Sequence, residues 1–427
     1  MKKSRQKICG GLVKEKRKMS RIRIPLVLLN IVLMVKHNTV NPNDMKVLLI
    51  MNAICVRLTI VCMVCLFTCS CKSSKGSEFL ESREVSIHVD TLPETFSTLF
   101  CDVELIPLNN EKEGMLSNVE RLKKRGKYYC ILDDGASPKI CLYSMEGAFL
   151  KKISAMGHSR NEYICLTDVA FGDDKIVVLD RNHIVKVFDY DNHFLLEKDL
   201  GEDMYFKTIE VVAGGYVCTS PHLGGGNSNS HLLYFYDENF NLCSPQIESL
   251  PVSIHNAPFT KDTFHSDKDY YFFYDFFRSM LFKGDIHTHA LVDAYTFKIP
   301  RLPSSSDFIN ERFYKDLANY DSFTKEYILG NKLYAYISYN DIMSSLIVDL
   351  DEENGTVFHY CDWYPRFYDD NGDFVYSIIP ADMLLALLDN ESYIPAKTRS
   401  ILSECIYAKT QTVQPTDNFI IVKMKLK

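Results

Sequence analysis

Lys127-Tyr128-Tyr129-Cys130-Ile131-Leu132-Asp133, then Lys139-Ile140-Cys141-Leu142-Tyr143, a turn at Met145-Glu146-Gly147 and Phe149-Leu150-Lys151 form short β-rich runs cut by turn residues. The pattern returns as Lys175-Ile176-Val177-Val178-Leu179-Asp180, Val185-Lys186-Val187-Phe188, a turn at Asp191-Asn192 and Phe194-Leu195-Leu196. Asp133 and Asp180 lie about 47 residues apart, and Phe149 and Phe194 about 45, a period that fits one four-stranded blade of a ring of stacked sheets. A sheet this small cannot bury both of its own apolar faces. Neighbours must therefore stack, and a closed ring leaves no unstacked end.

Working outward, weaker copies follow. Glu210-Val211-Val212, Tyr216-Val217-Cys218 and Leu232 to Asp237 make a third unit; Asp269 to Tyr274, Ser279 to Phe282 and Ala294 to Ile299 make a fourth. Tyr327-Ile328-Leu329, Lys332 to Ile337, Ser345 to Asp349 and Thr356 to Tyr360 make a fifth; Phe374 to Ile378 and the terminal run Asn418 to Lys425 supply strands for a sixth. Six units of about 45 residues fit between Ser117 and Lys427. The reading is all-β, a six-bladed β-propeller with short helical insertions near the C-terminus. Those insertions are expected at Asp307 to Tyr320, at Ala381 to Leu388 behind Pro380, and within Ile394 to Ala408. The run Gly224 to Ser228 reads as a flexible loop. Val85 to Val89 and Val103 to Ile106 read as strands, one of which would complete the last blade and close the ring.

The front of the chain is a different object. Of 14 cysteines in 427 residues, Cys9, Cys55, Cys62, Cys65, Cys69 and Cys71 crowd into the start. Leu58 to Thr68 is an uncharged helix-length run of about 16 Å, too short for a hydrocarbon core of ~30 Å, and reads as the apolar part of a signal peptide. Residues 45–70 are the expected signal and 71–83 a polar tether leading into the domain at 84–427. Residues 1–44, with a second apolar stretch at Ile24 to Val35, read as an extension ahead of a true start at Met45 or Met51; the alternative is an N-terminal membrane helix. The segment resembles a bacterial lipoprotein signal, which implies an acylated cysteine at Cys71, after Ser70 at −1, or alternatively at Cys69.

Residues 84–427 resemble the six-bladed β-propeller lipoproteins of Bacteroides-type bacteria, related in shape to NHL-repeat propellers. The likeness rests on Val187-Phe188-Asp189 with Phe194-Leu195, on Phe149 to Ile153, on Asp417 to Val422, and above all on Gly157-His158-Ser159-Arg160-Asn161-Glu162-Tyr163. The family's motif commonly reads Gly-x-Gly-Pro-x-Glu-Tyr/Phe, and here Ser159 and Arg160 replace Gly-Pro. The resemblance implies a lipid anchor in the outer membrane. Lys72-Ser73-Ser74-Lys75 lacks the acidic cluster that goes with surface export, which points to the periplasmic face.

Gly157, Arg160, Glu162 and Tyr163 are the candidate site residues. Arg160 and Glu162 would sit at the mouth of a central funnel, or the motif would hold two sheets at a fixed angle. The acidic runs at Asp189 to Asn192, Asp349 to Gly355 and Asp369 to Asp373 lack calcium-loop spacing and read as turns. His287-Thr288-His289 would place two imidazoles on one strand face without a third ligand. Neither a G-x-S-x-G elbow nor a phosphate-binding glycine loop is present. Cys130 and Cys141 read as buried thiols, with a cross-strand disulfide as the alternative. No catalytic, metal or cofactor residue is assigned. The formal charge of −7 gives no nucleic-acid footprint. The function expected is a membrane-anchored binding or interaction module whose partner is an envelope protein, a glycan or a peptide. Alternatives are a propeller enzyme (lyase, hydrolase or sugar-oxidising) working in the funnel, and an accessory part of an outer-membrane nutrient-uptake assembly.

Overall fold

A computed structural model of the chain describes residues 80–89, 100–222, 230–250, 264–310, 320–340, 342–359, 367–368, 374–389 and 413–426. All lie in the compact unit Phe79–Lys427. The expected leader, its boundaries, Cys69 and Cys71 lie outside the described residues, as do Gly224 to Ser228, Asp369 to Asp373 and Ile394 to Ala408.

Strands β1 (Arg83–Val89) and β2 (Phe100–Pro107) come first. The first meander is β3 (Val119–Arg125), β4 (Tyr128–Asp133), β5 (Lys139–Ser144) and β6 (Phe149–Ile153); the second is β7 (Leu166–Phe171), β8 (Lys175–Asp180), β9 (Ile184–Asp189) and β10 (Phe194–Asp199). The third is β11 (Thr208–Val212), β12 (Gly215–Thr219), β13 (His231–Asp237) and β14 (Leu242–Glu248). The fourth is β15 (Phe264–Ser266), β16 (Tyr270–Asp275), β17 (Met280–Asp285) and β18 (Leu291–Phe297). The fifth is β19 (Ser322–Leu329), β20 (Lys332–Tyr339), β21 (Ile342–Asp349) and β22 (Asn354–His359). A closing sheet runs β2, β25 (Phe419–Leu426), β24 (Phe374–Pro380), β23 (Phe367–Tyr368).

Of the two N-terminal strands, β2 completes the last sheet by pairing antiparallel with β25, Leu105 opposite Val422. β1 takes another place. It runs parallel to β18 through Arg83 to Val85 and parallel to β22 through Ser86 to Val89, fusing the fourth and fifth meanders into one nine-stranded sheet.

Burial explains why these runs are strands. β4 and β5 are buried on both faces, so their sequences are nearly continuously apolar, whereas β10 alternates half-buried and exposed residues. Successive residues of β4 serve different cores. Tyr129 and Ile131 pack against Tyr376, Ile378 and Ile421 of the closing sheet, while Cys130 and Leu132 pack against Val169, Ile176 and Val178 of the second meander. The same alternation carries Val177 and Leu179 against Tyr216 and Tyr234, Val217 and Phe235 against Tyr271 and Phe273, and Tyr274 and Leu281 against Leu333 and Leu346. Consecutive four-stranded sheets thus stack face to face in a propeller-like arrangement.

Two carboxylate devices mark the repeat. Asp133, ending β4, accepts the Ser117 and Asn118 amides at 3.1 and 2.8 Å; Asp180, ending β8, accepts those of Ile164 and Cys165 at 3.1 and 2.7 Å. Each clamps the residues that lead into its own sheet's first strand. At the third strand's end, Asp189 accepts Asp191 and His193, Asp237 accepts Asn239 and Asn241, Asp285 accepts His287 and Thr288, and Asp349 accepts Asp351 and Glu352, while Ser144 does the same with its hydroxyl. Each of these turns then passes through a positive φ: 87° at Gly147, 72° at Asn192, 58° at Phe240, 61° at His289 and 53° at Glu353.

The fourth strands share a bulge. One extra residue, Leu150, Leu195, Cys243 or Val292, interrupts the pairing of β6, β10, β14 and β18, and all four are exposed. β22 pairs with β21 without interruption.

Helix α1 (Ser305–Ile309) begins before the expected Asp307 because that carboxylate caps it, accepting the Ser304 amide at 2.9 Å; residues 311–319 lie outside the description. Helix α2 (Ala381–Asp389) follows Pro380 and buries Ala381 and Leu384. Among the described residues no helix is long and apolar enough to cross a membrane.

Candidate functional site

First strands of neighbouring sheets touch: β7 with β11, β3 with β23, β15 with β19. A buried polar cluster crosses three of these first strands. Arg121 on β3 reaches Asp168 on β7 through Nε at 2.8 Å and Nη2 at 2.9 Å, a two-point grip. Its Nη1 pairs with Glu210 on β11. Asp168 also accepts the Ile209 amide at 2.8 Å. Arg121 and Asp168 occupy the same place in their sheets, opposite Leu132 and Leu179, each just after a bulge residue. Three consecutive sheets are thereby clamped through one guanidinium. Asp168 is buried and Arg121 nearly so, so loss of the guanidinium would take this charge partner from a buried carboxylate at a cost of about 3–5 kcal/mol. Ahead of β11, burial pushes the half-buried Lys207 ammonium below its ordinary range.

The four residues singled out by sequence come together in the loop from β6 to β7. The Glu162 carboxylate lies against Gly157, where a Cβ would come within 2.1 Å of it and push the carboxylate aside. Glu162 accepts the Ser159 amide at 2.8 Å, and that backbone bond, with the Ser159 hydroxyl and the His158 amide, holds its carboxyl below the usual range. Arg160 lies 5.2 Å over the Phe194 ring of β10, the fourth strand of the next sheet. Tyr163 is buried between the first two sheets and donates to the Pro138 carbonyl at 3.1 Å. Lys186 on β9 donates to the Arg160 and Glu162 carbonyls at 3.2 and 2.6 Å and pairs with Glu197 at 2.9 Å. The loop is thus braced onto the second sheet.

Two expectations change. His287 and His289 do not share a strand face: β17 ends at Asp285, whose carboxylate accepts the His287 and Thr288 amides and turns the chain ahead of His289. His289 stacks on Phe235 at 4.3 Å and meets Ser244 at 3.1 Å, and burial lowers its pKa. The cross-strand disulfide alternative fails because Cys130 and Cys141 point to opposite faces; both are free, and burial pushes each thiol up to about 12. Among the described residues no group of three or more His, Cys, Asp or Glu could hold a metal ion.

Sequence reading missed a second buried cluster. His222, beyond β12, accepts the Leu250 amide at Nδ1 (2.8 Å) and meets Asp275 at the end of β16 through Nε2 (3.0 Å). An imidazole accepting at Nδ1 and donating at Nε2 is the neutral tautomer. Asp275 also pairs with Arg278, whose Nη2 donates to the Glu248 carbonyl at 2.6 Å. Burial would raise the Asp275 carboxyl, but the His222 hydrogen bond and the Arg278 guanidinium outweigh it and hold it low. His222 and Asp275 are 53 residues apart, and no local spacing signals their meeting.

Stacked four-stranded sheets, touching first strands and an N-terminal strand closing the last sheet define a propeller-like all-β protein. Residues 85–425 match the family described as Domain of unknown function (DUF4934), and the chain belongs to that family. Among solved structures it is similar to a Bacteroides fragilis protein whose name describes it, provisionally, as exported, at 15% identity and a TM-score of 0.64, covering 81% of this chain and 100% of that one. That likeness shows a shared fold. The Pan2 WD40 domain of Neurospora crassa is more distant, at 10% identity and a TM-score of 0.38, covering 60% of this chain and 71% of that one. No curated protein matches the chain.

Proposed function

We propose that this protein is an exported, lipid-anchored propeller of six blades that serves the cell envelope as a binding or interaction module. The blade count follows from treating the nine-stranded sheet as two meanders joined by β1. Export draws support from the name of the Bacteroides fragilis neighbour and from the signal-like run ending at Cys71. In this reading acylated Cys71, or alternatively Cys69, holds the domain to the periplasmic face of the outer membrane, and the partner is an envelope protein, a glycan or a peptide.

The observation that carries a binding role over a catalytic one is the engagement of Arg121, Asp168 and Glu210 with one another across three first strands. The charges there tie blades together, which makes a rigid platform for a partner. The test is a thermal-shift screen of the purified chain against glycans, peptides and divalent metals. A ligand that raises the melting temperature by a few degrees, in proportion to its concentration, is expected; turnover of a glycan or peptide in the same screen would replace this reading with an enzymatic one. In the native host, labelling with an alkynyl fatty acid should vanish with Cys71→Ser and persist with Cys69→Ser. The reverse would move the anchor to Cys69, and an unaltered chain that takes no label would remove it.

A further inference from the structure

β1 lies between two outer strands as a guest. Every hydrogen-bonded neighbour it has belongs to a meander more than 200 residues away in sequence, and its two halves are held differently. Arg83 pairs with Glu353 at 2.6 Å and Asp293 at 3.8 Å and lies 5.3 Å over the Tyr295 ring. Val85 is fully buried among Phe272, Tyr295, Leu346 and Val348. Ile87 packs against the same core, and a Cβ at Gly355 would lie 2.8 Å from its Cδ1, so the absent side chain at 355 makes room for it. The seam therefore reads an extended Arg-x-Val-x-Ile strand.

Of the two receiving edges, β22 is unlike the other fourth strands. β6, β10, β14 and β18 each carry a bulge at their second residue, and in β18 that residue, Val292, lies before the residues that meet β1. β22 is straight over its whole length, an open template unless covered.

We propose that the seam between the fourth and fifth meanders is a strand-acceptor slot, filled here by the chain's own residues 83–89 and open to the same strand of a second copy. Nothing in this depends on the anchor or on the ligand of the central site.

The test uses intact chains. One population carries Ser86→Cys and the other Asn354→Cys, positions that face each other across the parallel pair. The two are mixed at high concentration, oxidised mildly and digested, and linked peptides are identified by mass. A chain carrying both substitutions must form the 86–354 link within itself, which reports that the variants fold and the thiols react. The expected result is an 86–354 link between chains, reduced at least tenfold by excess synthetic peptide of residues 80–89 and unaffected by the same peptide carrying Val85→Asp and Ile87→Asp. A within-chain link without a between-chain link overturns the proposal. So does a between-chain link indifferent to the peptide.

Discussion

Asp180 and Asp275 stand at the same place, the last residue of a sheet's second strand, and do different work. Asp180, like Asp133, grips the backbone that leads into its own sheet. Asp275 instead takes a histidine from the preceding meander and an arginine from its own turn, while accepting the Phe277 and Arg278 amides. A repeat position is a place where an acceptor is needed; what it accepts from is set by the neighbours. In the second sheet the donors are local amides, whereas in the fourth the carboxylate has become the hub of an inter-sheet charge cluster.

The largest expected effect breaks the hub. Asp275→Ala leaves Arg278 and the His222 Nε2–H without their buried acceptor, and should cost about 3–5 kcal/mol in denaturant unfolding. Asp180→Ala frees the amides of Ile164 and Cys165 and should cost about 2 kcal/mol. Its hydrogen exchange should quicken at those amides and stay unchanged around Leu250. Equal costs for the two substitutions would erase the distinction. The smallest effect is in pH dependence. A carboxyl held low in the folded state adds stability that is present above its unfolded value near 3.8 and lost as pH falls through the folded value. The stability gap between the wild type and Asp275→Asn should therefore be flat above about pH 5 and narrow below about pH 4. A gap unchanged by acid would mean that Asp275 carries no charge.

The legible part of the fold was what repeats locally. Alternating apolar runs, Asp-rich turns and the 47-residue recurrence of Asp133 at Asp180 all arise from contacts within one sheet, so they leave a trace within one stretch of sequence. β1 left none of its role, because a parallel guest strand is specified by edges more than 200 residues away; Val85 to Val89 read as a strand and as one of two candidates to complete the last blade, a place that β2 takes. Arg121, Asp168 and Glu210 were hidden because single charges in half-buried strands look like a solvated face. His287 and His289 were misread for a related reason. The strand pattern continues through them in composition, and the break comes from the Asp285 carboxylate pulling backbone amides into a turn.

The bulges at Leu150, Leu195, Cys243 and Val292 bear on how many copies can live side by side. A fourth strand ends its meander, and a flat edge there would invite the flank of the next molecule to extend it. Kinking each rim strand once, at the same height, denies neighbours a common register. Neighbouring molecules can then touch without knitting into a fibre, and among the described fourth strands only the unbulged edge of β22, already occupied, departs from that rule.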